Sequence, residues 1–292
     1  MHRNQYLITF QEMDANELGL SKLKFCGMTV YHHPSLRATV DHHESSGILL
    51  LGYIIDPQKP GSTDADLVHS LVTTCPAKEQ LFKRLQALSG RFVIIYKSSE
   101  DLIAVGDPCG SRQIYYQGDK CVLTSSLQLF WDATGTAPKI SAPKEAILGC
   151  PEYEVAERAW IGTESPDDRV HKVLPNHYLN MRSRAVYRIP VDTGQLVAEK
   201  DGCEYAAEVL RGSMEGIRSR FEALQTLTAG FDTRTLLAAA RDFAAETEFF
   251  VFACSDEDES FPDLYVPLRL SRKLSLYFRI VRPPPLKAVQ PH

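Results

Sequence analysis

The residues best suited to chemistry are Thr228-Ala229-Gly230-Phe231-Asp232-Thr233-Arg234, set between a short apolar segment and a Leu/Ala-rich stretch. A glycine at a strand-to-helix turn lets the backbone approach a bound anion with no side chain in the way. The free N–H groups of the first helical turn then point at that anion, and the helix dipole favours its charge. Thr228 and Thr233 can donate hydroxyls to phosphate oxygens. A bare Asp232 carboxylate would repel phosphate, yet it suits a Mg²⁺ ion held between the two, since Mg²⁺ takes carboxylate and phosphate oxygens. The same residues also suit a purely structural turn, in which Gly230 tightens the bend and Asp232 or Thr233 caps the helix. No Gly-x-x-x-x-Gly-Lys-Ser/Thr loop and no Gly-x-Ser-x-Gly elbow competes with it.

Other groupings are weaker. In Tyr31-His32-His33-Pro34 and Asp41-His42-His43-Glu44 the neighbouring histidines would point to opposite faces of a strand, so they read as ordinary polar turn residues rather than metal ligands. Asp256-Glu257-Asp258-Glu259 could attract Mg²⁺, but a solvated acidic loop is the simpler account. Asp107, next to Pro108, shapes a turn.

The elements that must position the turn alternate. Glu204 to Phe221 has helical spacing, Ala223 to Leu227 is a short strand, and Thr233 to Phe243 is helical. Phe249 to Ala253 and Leu276 to Val281 read as strands flanking a helix from Leu264 to Leu274. This β-α-β-α-β order implies a parallel sheet, with the turn at the carboxyl ends of its strands, where ligands collect. Residues 1–190 are strand-rich instead. The run Gly47 to Asp56 is a buried strand, Asp66 to Leu88 a single helix, and Phe92–Tyr96 with Leu102–Val105 a hairpin. Ile114–Tyr116 with Cys121–Leu123, and His177–Met181 with Ala185–Tyr187, form further pairs. Pro190 to Gly202 is polar and turn-rich, a linker between a domain over 1–192 and another over 200–292.

Composition narrows the function. The 292 residues are 44% apolar and 24% charged, with 32 basic against 37 acidic side chains and a formal charge of −5. That balance argues against a nucleic-acid surface. Apolar runs are far shorter than the roughly 20 residues a membrane helix needs, and the first residues do not resemble a signal peptide. Seven cysteines without a Cys-x-x-Cys pair suit reduced thiols in the cytoplasm.

The turn resembles the Ser-Gly-Gly-x-Asp-Ser loop of asparagine synthases, β-lactam synthetases and related ATP pyrophosphatases. Gly230 and Asp232 match outright, while Thr228, Ala229 and Thr233 stand for serine, glycine and serine. Arg234 follows as in some asparagine synthase-related proteins, and Asp263-Leu264-Tyr265-Val266-Pro267 resembles the family's next helix. Upstream, Gly90-Arg91-Phe92, Asp107-Pro108-Cys109-Gly110, Ile114-Tyr115-Tyr116 and Thr124-Ser125-Ser126 are similar, in order, to the late strands of a glutamine amidotransferase-like domain. Val173-Leu174-Pro175-Asn176-His177-Tyr178 resembles the connector, with Asn176 where glycine is usual.

The resemblance implies an α+β, strand-rich, NTN-type amidotransferase-like domain followed by an incomplete α/β parallel-sheet ATP-pyrophosphatase domain. It implies ATP and Mg²⁺ as cofactors, and activation of a small-molecule or peptide carboxylate as an acyl-adenylate that an amine converts to an amide. Thr228, Gly230 and Thr233 would hold pyrophosphate, Asp232 would hold Mg²⁺, and the adenine would lie against the backbone near Leu227, Val251 and Phe252. Glutamine-hydrolysing relatives use an N-terminal cysteine. Here position 2 is His and the first cysteine is Cys26, so no glutaminase activity is expected. The family's later helices have no counterpart, which implies a protein partner that completes the synthetase domain, or else a fragment or inactive relative.

Overall fold

The computed structural model describes residues 2–13, 16–155, 159–191, 194, 197–253 and 259–283. The chain divides into two compact units, one of residues 1–54 with 63–194, the other of residues 55–62 with 195–292. Residues 55–62, inside the span read as the first domain, thus cluster with the second unit.

The first unit opens with strands Tyr6–Thr9 (β1), Ser21–Phe25 (β2), Met28–His32 (β3), Ala38–His43 (β4) and Ser46–Ile55 (β5). Helices Asp64–Thr74 (α1) and Lys78–Leu85 (α2) follow, then strands Ser89–Lys97 (β6), Leu102–Gly106 (β7), Ile114–Gln117 (β8) and Val122–Thr124 (β9). Helices Leu127–Thr134 (α3), Ala142–Leu148 (α4) and Pro151–Val155 (α5) precede strands His171–Val173 (β10), His177–Asn180 (β11) and Ala185–Arg188 (β12). One sheet has the order β10-β8-β9-β1-β3-β2 and the other β12-β11-β7-β6-β5-β4. Antiparallel registers such as Ile8↔Val30 and Ile94↔Val105 set which side chains share a face.

Alternation explains how the unit is layered. Along β5, Leu49 and Leu51 pack with Tyr6, Ile8 and Val30 of the other sheet, whereas Ile48 and Leu50 pack with Leu67, Val68 and Leu71 of α1. The far side of the first sheet, through Leu7 and Tyr31, packs on Leu129 and Phe130 of α3. The order is therefore helices, sheet, sheet, helix. A strand buried on both faces must be apolar at every position, which is why 48–51 reads as a continuous run.

The helix expected from Asp66 to Leu88 is two. Pro76 disfavours helical geometry at Cys75, whose φ/ψ of −118°/73° breaks the first. Thr63 starts α1 with a capping box, its Oγ1 accepting the Asp66 amide while Asp66 accepts the Thr63 amide. Gly90 bends β6 at φ +134°, and a Cβ there would stand 2.3 Å from the Tyr53 carbonyl oxygen, so only glycine fits.

The second unit carries helix Glu199–Arg218 (α6), strand Leu224–Thr226 (β13), helix Phe231–Ala239 (α7), strand Glu248–Phe252 (β14), helix Pro262–Leu274 (α8) and strand Tyr277–Val281 (β15). Its sheet is parallel, in the order β13-β14-β15. The helix expected from Thr233 to Phe243 instead spans 231–239 and gives way to a 3₁₀ segment, Arg241–Glu246, with Phe243 at φ −131°. Leu227, Phe249 and Leu237 form one core on the helix-covered face, and Val251 packs with Leu264 beside it. On the opposite face Leu224, Phe252 and Tyr277 are 56%, 65% and 64% exposed, beside the Glu248–Arg279 ion pair. Among the described residues, no helix is long and apolar enough to cross a membrane.

Candidate functional site

The turn between β13 and α7 is built largely from its own side chains. The Thr228 and Thr233 hydroxyls lie 3.1 Å apart, and Thr233 Oγ1 accepts the Thr228 amide at 3.1 Å. Thr228 Oγ1 accepts the Gly230 amide at 3.0 Å. The Ala229 amide donates to Asp263 Oδ1 at 2.9 Å, so the first turn of α8 braces the loop. Three amides before the helix are thereby occupied by side chains of the chain itself.

The helix start is different. Gly230 is the N-cap of α7 and supplies no side-chain cap. The first-turn amides of Phe231, Asp232 and Thr233 have no intrahelical acceptor, as at any helix start. Gly230 has φ −65° and ψ 151°, values any residue adopts. A Cβ there would meet only Thr228 Oγ1, at 3.2 Å. Its value is therefore space, and the tight turn that glycine alone could make is not present. Neither Asp232 nor Thr233 caps α7: the Asp232 side chain is exposed, and Thr233 reaches back to Thr228. Arg234 Nε donates to the Gly230 carbonyl at 3.2 Å, and its guanidinium lies 4.7 Å from the centre of the exposed Phe231 ring.

The remaining predicted positions are placed by the sheet. Leu227 is fully buried and its amide donates to the Phe250 carbonyl at 2.8 Å. Val251 points into the core and Phe252 to the exposed face, as strand alternation requires. Asp256 to Asp258 lie outside the described residues; Glu259 is described and exposed. Asp263 is the residue that sequence reasoning left without a role. Its place in the first turn after Pro262 was the available signal, since a carboxylate there can bond nearby amides as well as favour the helix dipole.

In the first unit, Asp107 is buried and accepts the amides of Phe92, Ser111 and Arg112 at 3.3, 2.9 and 3.1 Å, which is turn-shaping work. Asn176 sits at φ +58°, in the left-handed region that glycine enters most easily and asparagine tolerates. His2 is buried, with Nε2 3.0 Å from Asp132 Oδ2. His42 stacks on Phe25 and His69 pairs with Asp41 at 2.8 Å, whose carboxyl the histidine's hydrogen bond holds below its usual range.

No family model and no curated protein matches the chain. Solved structures similar to it include a glutamine phosphoribosylpyrophosphate (PRPP) amidotransferase from B. subtilis complexed with ADP and GMP, at 12% identity and a TM-score of 0.37, covering 99% of this chain and 63% of that one. Another is described as the allosteric regulatory enzyme of purine biosynthesis, at 14% identity and a TM-score of 0.35, covering 88% of this chain and 61% of that one. The chain spans less than two thirds of the length of either. With TM-scores this low, the functional reading rests on the chain's own residues.

Proposed function

We propose that the second unit is an ATP-dependent, asparagine synthase-like ligase module that holds the nucleotide's phosphates at the Thr228–Thr233 turn, in a chain whose first unit is amidotransferase-like. The observation that supports this best is the start of α7, where first-turn amides with no intrahelical acceptor and no side-chain cap adjoin two threonine hydroxyls at the carboxyl end of a parallel strand. The donor set suits a phosphate group, and Gly230 leaves it open to a close approach. Thr228, Thr233 and the α7 amides would bind phosphate oxygens. Asp232, exposed in the first turn, would hold Mg²⁺. Asp263 positions the turn through the Ala229 amide. When bound, ATP would supply an adenylyl group to a substrate carboxylate with release of pyrophosphate, and an amine would then displace AMP to leave an amide.

The rival reading is a non-catalytic protein that keeps this turn as structure. It is favoured by the occupied amides of Thr228, Ala229 and Gly230, because a self-satisfied turn needs no ligand. Calorimetry with ATP-Mg²⁺ on the wild type and Asp232→Asn, with thermal melts of both, separates the two. The ligase reading expects wild-type binding that the variant weakens without a change in melting temperature, and pyrophosphate release with a suitable carboxylate. No wild-type binding, or unchanged binding by Asp232→Asn, would establish the rival.

A further inference from the structure

The opposite end of the second unit's sheet holds a feature that the phosphate turn does not use. A cavity of about 750 Å³ opens where β13 and β14 begin, with Met214, Ile217, Phe221, Leu236 and Phe243 among its walls. That volume lies within the range of small-molecule sites, roughly 300–1,000 Å³. Gln225, on β13, lines it too. The residue is 7% exposed, and neither its Oε1 nor its Nε2 has a hydrogen-bond partner. A buried amide left unpaired keeps the cost of its lost hydration, and such groups in folded chains call for a reason.

Both cations that line the cavity are already paired, and the lining also carries the carboxylate of Glu222. Arg218 Nη1 lies 2.5 Å from Glu246 Oε2, and Arg279 Nε lies 2.5 Å from Glu248 Oε1. The Arg218 guanidinium also stands 5.1 Å from the centre of the Phe243 ring. An anionic ligand would have to break one of these pairs. The apolar walls suit a hydrocarbon or ring body, and among the described lining residues Gln225 is the neutral side chain whose polar atoms are all unpaired, an amide that presents a donor and an acceptor side by side.

We infer that this cavity binds an uncharged planar molecule carrying an amide edge, either an aryl carboxamide or the amide edge of a nucleobase, paired through two parallel hydrogen bonds to Gln225. The side-chain amide is closed off from solvent, so pairing requires it to turn about its own χ angles into the adjoining space. Losing no partner in its present position, it has little to hold it there. The inference is independent of the phosphate turn, which lies at the other end of β13.

Ligand-observed NMR and calorimetry on the full chain test it with benzamide for the carboxamide source, uracil for the nucleobase source and benzoate as the charged control. The expected result is binding of benzamide or uracil, whichever source applies, with benzoate far weaker. Gln225→Leu keeps the size and removes the amide, so affinity should fall by about tenfold or more, while the melting temperature holds or rises as an unpaired buried amide disappears. Asp232→Asn should leave the affinity unchanged, which separates this site from the nucleotide turn. The inference is overturned if the wild type binds neither neutral probe, if benzoate binds equally well, or if Gln225→Leu binds as the wild type does.

Discussion

Asp263 Oδ1 accepts the backbone amide of Ala229 at 2.9 Å, joining the first turn of α8 to a loop 34 residues earlier. The bond fixes the loop between β13 and α7 from outside, and it places a second carboxylate beside a turn that already carries Asp232. Asp263→Ala should therefore destabilise the chain by about 1–3 kcal/mol, through a lost charge-assisted bond and an unpaired amide. Asp263→Asn keeps an acceptor and should lose less. Urea unfolding of the three proteins checks the order.

Space, more than backbone conformation, decides which glycines of the second unit can change. Gly230→Ala should shift stability by less than about 1 kcal/mol, because its φ/ψ is ordinary and only Thr228 Oγ1 is near. Gly212→Ala should be far worse, since its Cβ would lie 1.9 Å from the Pro57 carbonyl oxygen and 2.7 Å from the Pro57 carbonyl carbon. A loss of about 3 kcal/mol is expected, because backbone must move to admit the methyl. Thermal melts of the two variants should differ clearly.

The buried carboxylate of Asp167 gives the first unit an acid-sensitive anchor. Burial pushes its carboxyl up, but Arg169, the Trp131 indole and the Lys139 amide outweigh this and hold it well below the usual carboxylate range. A lowered folded-state pKa means the stabilisation is complete above the unfolded value, about 3.9, and fades as pH falls through the folded one. Wild-type stability should drop on acidification below about pH 5. Asp167→Asn should flatten that limb while costing about 3–5 kcal/mol at neutral pH, because Arg169 loses its buried partner. Denaturant unfolding across pH provides the measurement.

Asn176, at φ +58°, donates no conformational ease that glycine would not exceed. Its carbonyl accepts the Ile189 amide at 2.8 Å in a bond any residue keeps. Asn176→Gly should hold stability within about 1 kcal/mol, whereas Asn176→Val should lower it by roughly 1–2 kcal/mol, the strain of a β-branched residue in the left-handed region. Circular-dichroism melts would show the ranking.

Local pattern carried much of the architecture. The unbroken apolar run at Ile48–Leu51 announced a strand buried on both faces, because period-two geometry leaves no solvent side for a polar residue there. The spacing of Gly230, Asp232 and Thr233 located a strand-to-helix turn, since glycine and small hydroxyl residues are what a helix start tolerates. The single helix expected from Asp66 to Leu88 failed because the leucine spacing outweighed the barrier at Cys75-Pro76. Strands β2 and β4 are half-exposed and polar, so their own pattern does not mark them, and they become strands by pairing with β3 and β5.

Which faces meet was decided by tertiary structure alone. Nothing in the segment Gln5–Phe10 states that Leu7 turns to α3 while Tyr6 and Ile8 turn to the second sheet, since a period-two pattern shows two faces and not their partners. Asp263 near Ala229 and Gln225 unpaired beside a cavity are likewise products of packing. The sequence by itself determined the type of most elements and the location of the turn, because those follow from contacts a few residues apart. The three-dimensional fold decided the layering, the brace on the turn and the orphaned amide, because each depends on groups brought together from distant parts of the chain.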